Sequence, residues 1–265
     1  MKGRTALVTG STSGLGLTLV SSLAAEGCNV VMTGLGDPSK ISAQRKSIAA
    51  TTGANVEFIP ADLTSLAEIE HLVLESRRAF AGIDILVNNA VSRHMGPVET
   101  FDPGHWEQDV AVNLTSAFNL IRLTLGGMKA SGWGRIVNIS SNLGLFGAPN
   151  RVSYVTTKTA LIGLTRAIAT ETGGANVTCN AICPSSMLGE NAERQIVEIE
   201  RTEGVSREVA MERFLAMRNR SRFVTTVPAM VAFLCSEHGR DMNGAAIPID
   251  LGSTAGQPAT AVYQR

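Results

Sequence analysis

The stretch TALVTGSTSGLGLTL, opening at Thr5, constrains the fold more than any other part of this chain. A β-rich run passes straight into Gly10, Gly14 and Gly16, and then into apolar residues at helical spacing from Leu15 to Ala25. Strand, glycine turn and helix in that order make a socket for a dinucleotide pyrophosphate. The phosphates need backbone amides at close range and the positive end of a helix, so side chains must be missing from the turn. Thr12, Ser13 and Leu15, set among the glycines, belong to the same expected cradle. A nucleoside triphosphate site would instead want GxxxxGK[ST]; Gly16 is followed by Leu17 and Thr18, which leaves no lysine for the phosphates.

The rest of the chain keeps that rhythm. Strand candidates are TALVT (5–9), NVVMT (29–33), NVEFIP (55–60), DILVNN (84–89), GRIVNIS (134–140), NVTCNAI (176–182) and AAIPID (245–250). Helical patterns lie between them, among them Leu66 to Phe80 and a long one from Trp106 to Met128. Strands separated by helices pair in parallel through right-handed crossovers. Strands without polar alternation are covered on both faces. The expectation is an α/β chain, 1–265 as a single domain, with a doubly wound parallel sheet of about seven strands. Residues 185–222 break the rhythm with two amphipathic helical patterns. They are a solvated decoration or a substrate lid, and a lid suits ligands that bind beyond the carboxyl ends of the strands.

Charge narrows the partners. Lys+Arg and Asp+Glu both total 23, so no global field points to nucleic acid or to a membrane surface. Met1-Lys2-Gly3-Arg4 imitates the charged end of a signal peptide, but Gly, Ser and Thr break up the residues after it. No apolar run approaches the roughly 18 residues of a membrane helix. Cys28, Cys179, Cys183 and Cys235 include no CxxC pair, which fits a reducing cytoplasm. His71, His94, His105 and His238 lack ligand spacing, so no metal is expected.

SYVTTK places Tyr154 and Lys158 on one face of a helix. A phenol ordinarily ionises near pH 10, too high for a proton shuttle at neutrality, and a neighbouring ammonium favours the phenolate. Ser141 can donate to a substrate oxygen, and Asn113 can hold a water that relays protons from the lysine. YxxxK alone also arises with a packed tyrosine and a solvated lysine. Here four elements fall in one order: GxxxGxG, NNA, NxxS and YxxxK. Asp62 either accepts from an adenine amino group or opens the following helix.

On these motifs the chain resembles the short-chain dehydrogenase/reductase family over essentially its whole length. TGSTSGLG (9–16), DL (62–63), NNA (88–90), Asn113, Ser141, Tyr154, Lys158 and Pro184 carry the likeness. NVTCNAICP, TLGGMKASGWGRIVNIS and FLCSE are similar to bacterial 3-hydroxybutyrate dehydrogenases. The resemblance implies a Rossmann fold, hydride transfer between a nicotinamide cofactor and the substrate, the roles just given for Asn113, Ser141, Tyr154 and Lys158, and a homotetramer. It also implies cofactor contacts from Leu35, Asp62, Leu63, Asn89, Ala90, Tyr154, Lys158 and Pro184. Gly34 and Leu35 stand where an acidic residue or an arginine would read the ribose, and Ser13 is not basic, so NAD is expected over NADP. The departures are Val91 after NNA, Ser185 after Pro184, and Gly189 in place of a nicotinamide-contacting threonine. The hydroxybutyrate enzymes hold a carboxylate with Gln, His, Lys and Gln; the corresponding positions read Arg93, Leu143, Arg151 and Gln195. The expected substrate is an anionic 3-hydroxy or 3-oxo acid. The alternatives are a bulkier or neutral ketone, or a cofactor-binding regulatory protein without activity.

Overall fold

The computed structural model describes residues 1–217 and 222–256. Its strands are β1 (Thr5–Val8), β2 (Asn29–Met32), β3 (Val56–Phe58), β4 (Ile85–Asn88), β5 (Gly134–Ile139), β6 (Val177–Pro184) and β7 (Ala246–Ile249). All pair in parallel in the order β3-β2-β1-β4-β5-β6-β7. The doubly wound sheet expected from the alternation is therefore present. β7 contains Pro248 yet forms a strand, because it lies at the sheet edge, where a missing N–H leaves no inner ladder broken.

Period two sorts the strand side chains onto two faces. Ala6, Val8, Val30, Met32, Ile85 and Val87 join the core under α1 (Gly14–Ala25) and α9 (Val227–Cys235). Leu7, Val31 and Leu86 face the other way, toward α3 (Leu66–Phe80) and α5 (Ser116–Ser131). α2 (Pro38–Thr52), N-capped by Asp37, joins β2 to β3. Cys179 and Cys183 are buried free thiols of β6, and burial pushes Cys179 up to about 12.

The long helix expected over Trp106–Met128 is not continuous. It is α4 (Pro103–Val110), a π turn over Ala111–Thr115, then α5. Apolar spacing cannot register one widened turn, and such turns gather at functional sites. This one contains Asn113. After β5 comes α6 (Val152–Thr172), which carries Tyr154 and Lys158. After β6, α7 (Glu190–Glu203) and α8 (Arg207–Ala216) occupy the stretch expected as a lid, of which 218–221 lie outside the described residues. Ile196, Ile199, Ala210, Phe214 and Leu215 give these two helices a small core of their own. Among the described residues no helix is long and apolar enough to cross a membrane.

Candidate active site

The sheet order reverses at β1: the chain runs outward to β3 and returns to place β4 on the other side. The crevice beyond β1 and β4 is where an open α/β sheet binds its ligand. Here the glycine turn and the NNA motif are built into each other. Thr9 Oγ1 accepts from the amides of Asn89 and Ala90 at 2.9 and 3.0 Å, and Asn89 Nδ2 donates to the carbonyls of Thr9 and Gly10. A Cβ on Gly16 would lie 2.1 Å from the Gly10 carbonyl oxygen, and one on Gly10 would lie 2.8 Å from Ala90 Cα. The turn can therefore be made only without side chains, which leaves its backbone facing the cleft at the start of α1. A dinucleotide pyrophosphate fits that cradle.

A continuous cleft of about 1610 Å3 runs from this turn to α7 and α8. Every residue expected to touch cofactor lines it: Gly10, Thr12, Ser13, Gly14, Leu15, Gly16 and Leu35 on one side, Asp62, Leu63, Asn89, Ala90 and Pro184 across from them, and Tyr154 and Lys158 deeper in. Asp62 is exposed at the rim and accepts from the amide and hydroxyl of Thr64, which hold its carboxyl below the usual range. The N-cap of α3 is Ser65, not Asp62. At the ribose end Thr12 Oγ1 donates to the Leu35 carbonyl, and among the described residues no cation lines the wall formed by Thr12, Ser13, Gly34 and Leu35. Asp37 spends its carboxylate on Ser39 and Lys40.

Tyr154 and Lys158 are both buried on the inner face of α6, 6% and 2% exposed. Lys158 Nζ donates to the Ile139 carbonyl at 2.8 Å and lies 5.8 Å from the Tyr154 ring centroid. Burial pushes the phenol up. The charges of Arg93 and Lys158, with hydrogen bonds from Ser141 and Arg93, outweigh that and hold it below the ordinary tyrosine value. Burial holds the Lys158 ammonium below the lysine range, against the pull of the phenol. Ser141 sits just past β5, bonded to the phenol, where its oxygen also accepts from the Leu143 amide at 3.1 Å.

Asn113 is close by but does not line the cleft. Its side-chain amide is spent: Oδ1 accepts from the Ser92 amide at 2.8 Å, and Nδ2 donates to the Ser92 carbonyl and to Thr157 Oγ1. The Asn113 side chain thus ties the loop after β4 to α6.

The four residues expected at substrate, Arg93, Leu143, Arg151 and Gln195, converge on the same cleft from four separate segments. Arg151 sits at the N-cap of α6 against Met95, and burial with the nearby Arg93 charge lowers its proton affinity. Gly189 is extended and opens into free space at the start of α7; Val91 is an exposed part of the wall.

One arrangement escaped sequence reasoning. Asp109 is fully buried in α4 and binds the His94 ring at 2.8 Å, the His94 amide at 3.1 Å and Ser153 Oγ at 2.5 Å. Burial pushes this carboxyl up, but bonds from Ser153, Ser92 and His94 outweigh it, so it stays ionised. The His94 ring stacks on His105 at 3.8 Å. Asp109 thus clamps the loop bearing Arg93 to the first turn of α6. An aspartate in a short amphipathic helix gives no signal of this in sequence.

A dinucleotide crevice that ends at a buried tyrosine and lysine defines a dehydrogenase or reductase acting at a carbon–oxygen bond. Comparison with known proteins gives the family. Residues 4–198 match the family model for short chain dehydrogenases. D-beta-hydroxybutyrate dehydrogenase of Cupriavidus necator is 40% identical over 96% of this chain and 99% of its own length. The Rhizobium meliloti protein of the same name is 37% identical over 95% and 99%. L-sorbose reductase from Gluconobacter frateurii, solved with NADPH and L-sorbose, superposes with a TM-score of 0.91 at 25% identity, covering 97% of this chain and 98% of that one. The chain belongs to the short-chain dehydrogenase/reductase family. It is a nicotinamide-dependent oxidoreductase acting on the CH–OH group of a small molecule.

Proposed function

We propose that this enzyme interconverts a 3-hydroxy acid and its 3-oxo acid, with NAD in preference to NADP, and that its substrate is bulkier than hydroxybutyrate. The supporting observation is the joint one at the inner end of the cleft. A buried phenol held low in proton affinity stands beside two arginines, Arg93 and Arg151, that can meet a carboxylate. The identity to hydroxybutyrate dehydrogenases favours an acid of this type. The replacement of their histidine by Leu143, with Met95, Phe146, Leu188 and Met217 exposed on the cleft wall, favours a longer apolar chain.

A nicotinamide cofactor, held by the glycine turn of Gly10, Gly14 and Gly16, would supply or accept the hydride. Ser141 donates to the substrate oxygen and orients it against Tyr154. Tyr154 Oη supplies the proton to that oxygen in reduction and removes it in oxidation. Lys158, fixed by the Ile139 carbonyl, holds the phenolate form when the proton is away. Arg93 and Arg151 take the carboxylate with parallel hydrogen bonds, a geometry lysine cannot offer. Gln195, on α7, closes over the same substrate.

The test is the change in nicotinamide absorbance with 3-oxo acids of rising chain length, each beside its methyl ester. Acids longer than four carbons should have the highest kcat/KM. Equal turnover of acids and esters would sink the anionic substrate and leave a neutral ketone. A homotetramer is part of the proposal, and light scattering should return four times the chain mass.

A further inference from the structure

Arg93 occupies a place that turnover needs. Its Nη2 donates to Tyr154 Oη at 2.9 Å, and its guanidinium carbon lies 4.2 Å from the ring centroid. Both residues line the cleft, Tyr154 buried and Arg93 exposed, and Arg93 is bonded to the phenol oxygen, so the cation covers the phenol from the cleft side. A phenol oxygen offers one hydrogen and two lone pairs, and Arg93 and Ser141 already engage it. A substrate oxygen that meets Tyr154 Oη and Ser141 Oγ together cannot enter until the guanidinium leaves.

The guanidinium is also poorly held. Among the described residues no carboxylate pairs with Arg93, and Asp109, which clamps the same loop, is taken by His94 and Ser153. Arg151, the next cation in the cleft, is close enough to repel it. A cation resting on a neutral acceptor beside a like charge will exchange that contact for a carboxylate. Charge-assisted, two-pronged bonds are roughly twice as strong as neutral ones.

We propose that Arg93 is a catalytic residue displaced by the substrate's own charge: at rest it caps Tyr154, and the anionic group of an incoming substrate draws it off the phenol and opens the oxygen site. This rests on the acid–base reading of Tyr154 given above. It makes acid preference a matter of access as well as of affinity, because a neutral ketone has nothing with which to move the cap. It also changes the phenol. The groups facing Tyr154 are Arg93 from the loop after β4, Lys158 from α6, Arg151 from the N-cap of α6, and Ser141 from just past β5, with Cys183 of β6 behind Lys158. With Arg93 gone, one of the cations opposing protonation is lost, and Tyr154 holds its proton more tightly, as a donor to a ketone should.

The chain has two tyrosines, Tyr154 and Tyr263, so a Tyr263→Phe background leaves one phenol whose ionisation can be followed by ultraviolet difference absorbance. Butyrate, a carboxylate without an oxygen at C3, serves as the probe and butyramide as the neutral control. Butyrate should raise the Tyr154 midpoint by about one pH unit and butyramide should leave it in place. In Arg93→Gln the midpoint should start higher and butyrate should not move it. Because Arg93 lies on the cleft wall and not in the core, this variant and Arg93→Lys should fold, with Arg93→Lys intermediate. A wild-type midpoint unmoved by butyrate at its solubility limit, or moved equally in Arg93→Gln, overturns the proposal. Kinetically, Arg93→Gln should raise kcat/KM for a 3-oxo methyl ester several-fold while lowering it tenfold or more for the acid; a fall for both would leave Arg93 a simple ligand. Loss of the acid–base reading would appear separately, as turnover surviving in Tyr154→Phe, whereas the titration reads Arg93 without any turnover.

Discussion

Tyr154 and Lys158 are four positions apart on α6, and their joint burial gives the residue scale its clearest predictions. In the proposed mechanism, removing the phenol oxygen takes away the proton shuttle but leaves the glycine turn, which lies on a different element. Tyr154→Phe should therefore lose on the order of 10²–10⁴-fold in kcat, while fluorescence titration finds cofactor binding nearly unchanged. Retention of more than a small fraction of the rate would remove Tyr154 from the mechanism. The lowered proton affinity of the phenol sets where the pH dependence falls, and the form each direction needs sets its sign. Alcohol oxidation needs the phenolate, so its kcat/KM should rise with pH and level off above the Tyr154 ionisation, at a pH below that of free tyrosine. Ketone reduction needs the phenol and should fall over the same range. Opposite slopes in the two directions are the diagnostic, and a shared slope would count against a single proton carrier. The Tyr–Lys pair was legible in sequence because i,i+4 neighbours meet on any helix. The partnership of Arg93 with Tyr154, across 61 positions, was not.

Elements obey local rules closely enough for their breaches to be informative. α3 is C-capped by Ala81, which takes the left-handed conformation with φ 64 although it carries a Cβ, and Gly82 comes after it. The helix stop is in place, but the residue in the strained position is not the one that relieves it. Ala81 is exposed, so Ala81→Gly removes the clash without emptying any core. The variant should gain roughly 1 kcal/mol, seen as a rise of about 2–4 °C in Tm. A fall in Tm would mean that the added backbone entropy of glycine outweighs the strain. The π turn at Ala111–Thr115 is a breach of another kind. The sequence reads as one amphipathic helix from Trp106 to Met128, because the hydrophobic period survives one extra residue in a turn. The widened turn carries Asn113, whose side chain bonds Ser92 and Thr157.

At the scale of the whole molecule, the cleft runs from the β1–β4 reversal, the proposed cofactor end, to the proposed substrate end under α7 and α8, and the two ends differ in charge. The substrate end holds Arg93, Arg151 and Arg194, while among the described residues the ribose wall of Thr12, Ser13, Gly34 and Leu35 holds no cation. A 2′-phosphate would be left without a counter-charge there, so kcat/KM should be higher with NADH than with NADPH. Lys40→Ala should leave that ratio unchanged, because Lys40 belongs to the first turn of α2 and does not line the cleft. A higher value with NADPH would overturn the preference. Sequence by itself determined the alternation of strands and helices, the glycine cradle and the Tyr–Lys face, because each depends on spacings of a few residues that backbone geometry repeats in any context. The break in the long helix, the buried Asp109 clamp and the seat of Arg93 on the phenol were decided only by tertiary structure. Each joins segments far apart in the chain, and such contacts depend on which faces the completed sheet and its crossovers bring together.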